Sequence, residues 1–126
     1  MLRDAPIVPY VPVADMDRAR KFYEEKLGFA PKEVYGAEGV FYACGQGTVF
    51  FMYRSAGAGT SKASVAFWGV KDVEAEVAAL RAKGVVFEEY DQPGLKTVNG
   101  INYHPKARTA WFKDSEGNIL AIAQRM

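Results

Sequence analysis

Two side chains stand out as candidates for acid–base or nucleophilic chemistry, because each type occurs once. His104 is the single histidine, and imidazole exchanges protons near neutral pH. In the segment NGINYHPKAR it is either an acid or base over a pocket mouth or a solvated loop residue that Pro105 holds extended. Cys44 lies in the strand-like run FYAC with no activating base beside it. We therefore expect an inert buried thiol rather than a nucleophile.

Carboxylates are grouped at one place in the chain, at Glu88, Glu89 and Asp91. The group could supply a base or attract a cationic ligand, and it could equally be the solvated end of a strand. Spacing reveals no partner that would tune these carboxylates or His104, so His104 stays the one catalytic candidate. Sixteen Lys and Arg against fifteen Asp and Glu, a formal net charge of +1, disfavour nucleic acid and anionic lipid as partners.

The first residues, MLRDAPIVPYVPV, interrupt an apolar stretch with Asp4 and three prolines. Such a segment lacks the continuous apolar run of a signal peptide or a membrane span. One cysteine can form no internal disulfide. We therefore expect a cytoplasmic protein, and the length predicts a single domain over residues 1–126.

The elements that would position these side chains show an internal repeat. The segments VADMDRARKFYEEKLGF, residues 13–29, and VKDVEAEVAALRAKGVVF, residues 70–87, share one plan. Each runs from a valine that ends a strand through an aspartate and an amphipathic helix to a glycine and a new strand. Asp15 and Asp72 are the expected N-caps, and the glycine after each helix is expected to end it.

Short apolar runs separated by glycine-bearing turns predict a series of strands. These lie near Ile7–Val13, Phe29–Tyr35, Val40–Cys44, Thr48–Arg54, Ser64–Val70, Val85–Tyr90, Arg108–Lys113 and Ile119–Gln124. The predicted fold class is α+β, with one β-α-β-β-β module in residues 1–55, a flexible linker in 56–63 and a second module in 64–126. Residues 91–107 are expected to form one long irregular loop, either a functional lid or a disordered segment.

The sequence resembles the vicinal oxygen chelate superfamily, which includes glyoxalase, bleomycin-resistance proteins and extradiol dioxygenases. The resemblance rests on YVPVADMDRARKFYEEKLGF near the start and WFKDSEGNILAIAQ near the end, and it covers nearly the whole chain. It implies that the two modules form a curved mixed sheet, with helices on the convex side and a ligand site in the concavity. It also implies a homodimer, because a second chain commonly completes the sheet in this family.

Metal-dependent members of this family hold their ion with His or Gln on the first strand of each module and Glu on the fourth. The matching places here are Val8 and Val65 on the first strands and Phe51 and Ala121 on the fourth strands. None of these side chains offers the nitrogen or oxygen that a divalent ion needs. A register shift of one residue restores no ligand set, so neither a metal nor another cofactor is expected.

Alternation along the strands predicts which residues line the concavity instead. The inward set is Val8, Tyr10, Val49, Phe51, Tyr53, Val65, Phe67, Trp111, Ala121 and Ala123. The helix-facing set is Val11, Phe50, Met52, Trp68 and Ile122. The predicted ligand-binding residues are Tyr10, Phe51, Tyr53, Phe67, His104 and Trp111. The alternative is that Phe51 and Phe67 close a second core against a partner subunit, with no ligand.

Three function classes remain, and they differ in what they require of these residues. A metal-independent binding protein of the bleomycin-resistance type needs only an aromatic pocket, in which it would sequester a planar, mostly apolar or cationic compound such as an antibiotic. This class ranks first, and it is not an enzyme. A metal-free lyase or isomerase, with His104 or an acidic residue as acid or base, ranks second. A metal-dependent glyoxalase or dioxygenase ranks last, because its ligands are missing.

Overall fold

The computed structural model describes residues 1–126 as two β-α-β-β-β modules. The first contains β1 (Tyr10–Val13), α1 (Met16–Lys21), β2 (Pro31–Tyr35), β3 (Gly39–Ala43) and β4 (Val49–Arg54), and a π-helical turn, Phe22–Lys26, extends α1. The second contains β5 (Ala66–Gly69), α2 (Val73–Ala82), β6 (Asp91–Gln92), β7 (Leu95–Lys96), β8 (Ile101–His104), β9 (Ala107–Lys113) and β10 (Ile119–Arg125). None of the helices has the length and apolar character needed to cross a bilayer.

Each module folds into a four-stranded mixed sheet in which the first and last strands lie side by side. The strand orders are β1-β4-β3-β2 and β5-β10-β9-β8, and the pairs β1/β4 and β5/β10 are parallel. The register is equivalent in the two modules, since Tyr10 faces Phe51 and Phe67 faces Ala121. The expected α+β architecture of two repeated modules is confirmed.

The second module departs from the prediction at its outer edge. Residues 85–90 do not form a regular strand: Phe87 makes an isolated bridge with Phe112, and the chain then leaves the sheet. It returns at Ile101, which pairs with Ala110 farther along the same edge of β9. The expected irregular loop over residues 91–107 is therefore wrong, because this stretch contains the β6–β7 hairpin and β8. Two-residue strands around the turn at Gly94 are too short to show an alternating pattern.

Both helices begin as the sequence predicts. The side chain of Asp15 accepts a hydrogen bond from the Arg18 N–H, and that of Asp72 accepts one from the Ala75 N–H, each at 3.1 Å. An N-cap of this kind satisfies a donor that the first helical turn leaves unpaired. Gly28 follows the first helix with a left-handed φ of 81°, which a residue with a Cβ adopts at a cost.

One hydrophobic core runs beneath both sheets on their helix-facing sides. It contains the predicted helix-facing residues Val11, Phe50, Met52 and Ile122, all of which are buried. Trp68 is half-buried and joins the modules, because its ring lies 5.4 Å from Phe29 and 5.6 Å from Phe50 between centroids. Val65 also packs against this core from just before β5, which disagrees with the expected placement of Val65 on the concave side.

A polar cluster joins the β9–β10 turn of the second module to the end of β1 in the first. We call this the junction cluster; its members are Arg18, Tyr23, Asp114, Glu116 and Asn118. The buried Glu116 carboxylate accepts hydrogen bonds from the backbone N–H groups of Ala14 and Asp15, at 3.0 and 2.8 Å. Both oxygens also accept from the Arg18 guanidinium, at 2.8 and 3.0 Å. Because these donors belong to the start of α1, one side chain fixes the second module against the first.

The remaining members of the junction cluster satisfy one another. The Tyr23 hydroxyl donates to Asp114 at 2.5 Å, and both burial and the carboxylate raise the pKa of Tyr23 well above its ordinary value. The Asn118 amide donates to the Pro12 carbonyl at 2.7 Å and accepts from the Gly59 N–H at 3.1 Å. The predicted flexible linker, residues 56–63, is thus anchored at its middle. No buried side-chain polar atom in the protein lacks a hydrogen-bond partner.

The junction cluster predicts how stability depends on acid. Burial of Glu116 opposes its ionisation, but hydrogen bonds from Arg18, the α1 backbone and Ser115 outweigh burial and lower its pKa from 4.5 to about 2. The pKa of Glu116 is lower in the folded state than in the unfolded state. The contribution of the ionised carboxylate to the free energy of unfolding is therefore present above pH 4.5 and disappears as the pH falls towards 2. The difference between the two pKa values of Glu116 corresponds to roughly 3 kcal/mol in the free energy of unfolding.

We expect Glu116→Gln to lower the free energy of unfolding by about 3 kcal/mol at neutral pH, because it leaves the Arg18 charge without its partner. The variant should also lose much of the decline in stability between pH 4.5 and 2. Urea unfolding followed by circular dichroism at several pH values measures both effects. Glu76→Gln, an exposed carboxylate on α2 with no ion pair, is the matched control. Equal acid sensitivity of Glu116→Gln and the wild type would contradict this account.

Candidate functional site

The face of the first sheet that points away from the helices carries a row of aromatic rings. We call this face the first open face. Tyr10, Phe51 and Phe41 are in register across β1, β4 and β3, and Glu33 continues the row on β2. The ring centroids lie 5.7 Å apart for Tyr10–Phe51 and 4.5 Å apart for Phe41–Phe51. Tilted rings at these separations attract one another and form a continuous apolar surface.

Two tyrosines complete the first open face. Tyr53 lies 4.9 Å from Tyr10, and Tyr35 lies 5.9 Å from Phe41. Hydrogen bonding to Glu33, together with partial burial, raises the pKa of Tyr35 and keeps its hydroxyl protonated as a donor. Gly39 lies beneath the Phe51 ring, and a Cβ at this position would collide with that ring. The sequence prediction missed Phe41 and Tyr35, although the alternation of β3 with β4 carries the signal for Phe41.

The corresponding face of the second sheet, the second open face, has a notch between two large rings. Phe67, Ala121 and Trp111 face one another across β5, β10 and β9. The methyl group of Ala121 is buried between these rings. The next row contains Gly69, Ala123, Thr109 and Asn102. None of these side chains carries a ring.

Tyr90 adds a ring beside Trp111 that the sequence did not reveal. Its ring meets Trp111 edge-on, with the centroids 5.6 Å apart. Tyr90 lies at the start of the segment that leaves the sheet and contains the β6–β7 hairpin. Its N–H donates to the Thr97 hydroxyl at 2.8 Å. No local pattern shows this contact, because it depends on the chain leaving the sheet after Phe87.

The acid–base candidates lie away from these rings or are already engaged. His104 is exposed at the end of β8, and its Nδ1 accepts from the Lys106 N–H at 3.1 Å with no carboxylate partner. The Glu89 carboxylate accepts from the Thr97 hydroxyl and the Gly100 N–H, each at 2.7 Å. These two hydrogen bonds lower the pKa of Glu89, which weakens it as a base. Burial raises the pKa of the Cys44 thiol and so disfavours a thiolate.

The residues at the four family metal positions do not fit a metal ion. Phe51 and Ala121 lie in the middle of β4 and β10, and Val8 and Val65 lie just before β1 and β5. Carbon side chains offer no donor to zinc, nickel, manganese or iron. No group of three His, Cys, Asp or Glu side chains lies close enough together anywhere in the protein to hold an ion.

The structure brings most of the predicted ligand-binding residues together in two sets. Tyr10, Phe51 and Tyr53 touch one another on the first open face. Phe67 and Trp111 flank Ala121 on the second open face. His104 stands apart from both sets, at the β8–β9 turn. The two faces offer ring stacking and apolar burial, and they place no tuned acid or base beside either surface.

Comparison with known proteins places the chain in a family. The model of the Glyoxalase/Bleomycin resistance protein/Dioxygenase superfamily matches residues 6–122. No protein with a curated function matches the sequence significantly.

Solved structures share the fold at low sequence identity. UcmS2 is 20% identical with a TM-score of 0.72, covering 94% of this chain and 97% of its own. TnmS3, an antibiotic binding protein from Streptomyces sp. CB03234, is 24% identical with a TM-score of 0.64, covering 96% and 97%. FosX, a genomically encoded fosfomycin resistance protein from Listeria monocytogenes, is 13% identical with a TM-score of 0.69, covering 97% and 91%.

The packing of Phe51 over Gly39 can be tested directly. We expect Gly39→Ala to lower the free energy of unfolding by about 1–2 kcal/mol, because the new methyl group displaces the Phe51 ring. In a Phe51→Ala background the same change should cost much less, and a double-mutant cycle in urea measures the difference. Gly69→Ala, where an added Cβ meets nothing within 4 Å, is the matched control. Additive effects of the two changes would show that the Phe51 ring does not lie over Gly39.

Proposed function

The chain belongs to the Glyoxalase/Bleomycin resistance protein/Dioxygenase superfamily, and we propose that it acts there as a metal-independent binding protein that sequesters a planar small molecule. The observation that carries this proposal is the unbroken aromatic row of the first open face. Rings in that arrangement bind flat apolar molecules by burial and stacking. The proposed ligand is an antibiotic or a secondary metabolite that is held without being transformed.

Positive charge on the ligand would strengthen binding to the first open face. Aromatic faces attract cations, and the exposed carboxylate of Glu33 lies at the end of the row, opposite Phe41. No lysine or arginine lies within this row to oppose a cation. We therefore include planar cations in the ligand class.

The positions and existing hydrogen bonds of the candidate acids and bases favour a binding role over catalysis. A metal-free lyase or isomerase requires a group within hydrogen-bond reach of its substrate. His104 lies at the rim of the second sheet, and Glu89 is already bonded within the insertion that carries the β6–β7 hairpin. A metal-dependent glyoxalase or dioxygenase requires donors that the four family positions lack. The family includes both binding proteins and enzymes, and TnmS3 is an antibiotic binding protein.

We also propose that the functional form is a homodimer. Tyr10 and Phe67 are 64% and 69% exposed in the single chain, and Tyr35 is 49% exposed. Clustered exposed aromatic rings usually mark a surface that binds a ligand or a partner. A two-fold dimer that brought open faces of two chains together would cover these rings and deepen the pocket between them.

The ligand proposal predicts binding of acriflavine, a planar aromatic cation. Titration should change the fluorescence of acriflavine, and Tyr10→Ala and Phe51→Ala, which remove rings of the first open face, should each weaken binding by roughly 1–3 kcal/mol, about 5- to 150-fold in Kd. Tyr103→Ala removes an exposed ring on the opposite side of the second sheet and should leave the affinity unchanged. Binding should persist in excess EDTA.

Two results would count against sequestration. Loss of affinity on chelation would indicate a metal in the site. Recovery of a chemically altered ligand from the wild type, but not from His104→Ala, would indicate a metal-free lyase or isomerase instead of a binding protein.

The dimer proposal predicts a mass of twice 13.9 kDa by light scattering at micromolar concentration. Replacing exposed aromatic residues should shift the protein to monomers, so Tyr10→Lys with Phe67→Lys is the informative variant, because buried charge is costly. Tyr103→Lys, on the helix-facing side, is the control. A wild-type protein that stays monomeric throughout this range would refute the dimer.

A further inference from the structure

The turns before the last strands of the two modules are structural equivalents. The β3–β4 turn, Cys44–Thr48, is closed by a hydrogen bond from the Cys44 N–H to the Thr48 carbonyl at 2.8 Å. The β9–β10 turn, Asp114–Asn118, is closed in the same way at 2.9 Å. Each turn has a glycine with positive φ just before its last residue, Gly47 at 75° and Gly117 at 86°. The repeat therefore extends to the backbone of these turns.

Their side chains differ. In the β9–β10 turn, Glu116 and Asn118 reach the other module and form the junction cluster. In the β3–β4 turn, Gln46 occupies the position equivalent to Glu116, and its amide makes no hydrogen bond. The Thr48 hydroxyl bonds only within its own turn, to the Gly45 carbonyl at 2.7 Å. The polar contacts that fill one end of the module junction are missing at the other end.

A half-open cavity of about 500 Å³ lies where those contacts are missing. We call it the junction cavity. Its apolar walls include Ile7, Pro9, Phe50, Phe67 and Trp68. A volume of this size lies within the range of sites for small organic ligands. The Trp68 ring stands between the cavity and the core, and the Cys44 thiol lies beside the indole.

The polar groups of the junction cavity are neutral. No Asp, Glu, Lys, Arg or His lines it, and the polar side chains present are those of Cys44, Gln46 and Thr48. β5 also contributes, because it is an edge strand with β10 on one side only. Alternate backbone N–H and C=O groups of an edge strand have no ladder partner. The cavity thus presents a flat indole, apolar walls and uncharged hydrogen-bonding groups.

We propose that the junction cavity is a second ligand site, which binds a neutral, planar aromatic molecule with a hydrogen-bonding substituent on its edge. The fused ring stacks against Trp68 and Phe67, and the substituent bonds to the Gln46 amide or the free edge of β5. A charged ligand is disfavoured, because no opposite charge lines the cavity to offset its desolvation. The bound molecule occupies the position that Glu116 and Asn118 fill at the other end of the junction.

This site is separate from the proposed site on the first open face, because none of the rings of that face lines the junction cavity. Phe67 belongs both to the junction cavity and to the second open face, whereas Trp68 lines only the cavity and Trp111 lies only on the second open face. Each of the two tryptophans reports on one site. A ligand of the junction cavity perturbs Trp68, and a ligand of the second open face perturbs Trp111.

Naphthol, a neutral fused-ring compound with one hydroxyl group, is a suitable probe for the junction cavity. Proton–nitrogen NMR spectra resolve the two indole N–H signals, and Trp68→Phe and Trp111→Phe assign them. The expected result is a saturable shift of the Trp68 signal that persists in the Trp111→Phe variant. Gly45→Leu places a side chain in the cavity, and an added Cβ at this glycine meets nothing within 4 Å. This variant should weaken binding by about tenfold or more.

Gly57→Leu, which adds the same side chain outside the cavity, should leave the titration unchanged. A shift of the Trp111 signal alone, or of neither signal, would overturn the proposal. So would full affinity in Gly45→Leu when this variant retains the wild-type dispersion of NMR signals. These outcomes leave acriflavine binding on the first open face untouched, so the two proposals fail separately.

Discussion

The arrangement of the two modules depends on one buried carboxylate. Glu116 lies in the β9–β10 turn of the second module, yet most of its hydrogen-bond donors belong to the first module: the N–H groups of Ala14 and Asp15, just before α1, and the Arg18 guanidinium. A buried charge is tolerated only where donors surround it, and here the backbone and Arg18 supply them together. Because Asp114 and Asn118 hold the same turn to Tyr23 and Pro12, the relative position of the sheets follows from this one contact region.

The same contact region gives a structural role to acidic residues of the family-like segment near the end of the chain. The run DSEGN lies within the segment WFKDSEGNILAIAQ, on which the resemblance to the family rests. In the structure its acidic residues act in assembly of the fold, since they bind Tyr23 and Arg18 rather than a ligand. On the open faces, the positions that match the family's metal ligands hold Phe51 and Ala121, which are apolar. The acidic residues of DSEGN therefore lie at the junction of the modules and not on the recognition surface.

Much of the fold was predictable because the signals were local. Asp15 and Asp72 act as caps, and alternation placed Phe50 and Met52 under the helices and Phe51 on the opposite side. What could not be predicted depends on contacts between distant residues. Tyr90 reaches Trp111 only because the chain leaves the sheet after Phe87, and the junction cavity exists only because two distant strands approach each other.

Because the edge of the second sheet is interrupted, the residues beside Trp111 can change without a change in the hydrophobic core. The chain leaves β9 after pairing at Phe112 and rejoins it at Ala110, so both flanks remain anchored whatever lies between them. Loop closure becomes only slowly more costly with length, which allows the segment between Glu89 and Gly100 to gain or lose residues at a small cost in closure entropy. Descendants of this chain could therefore acquire new walls beside Trp111 while inheriting an unchanged core.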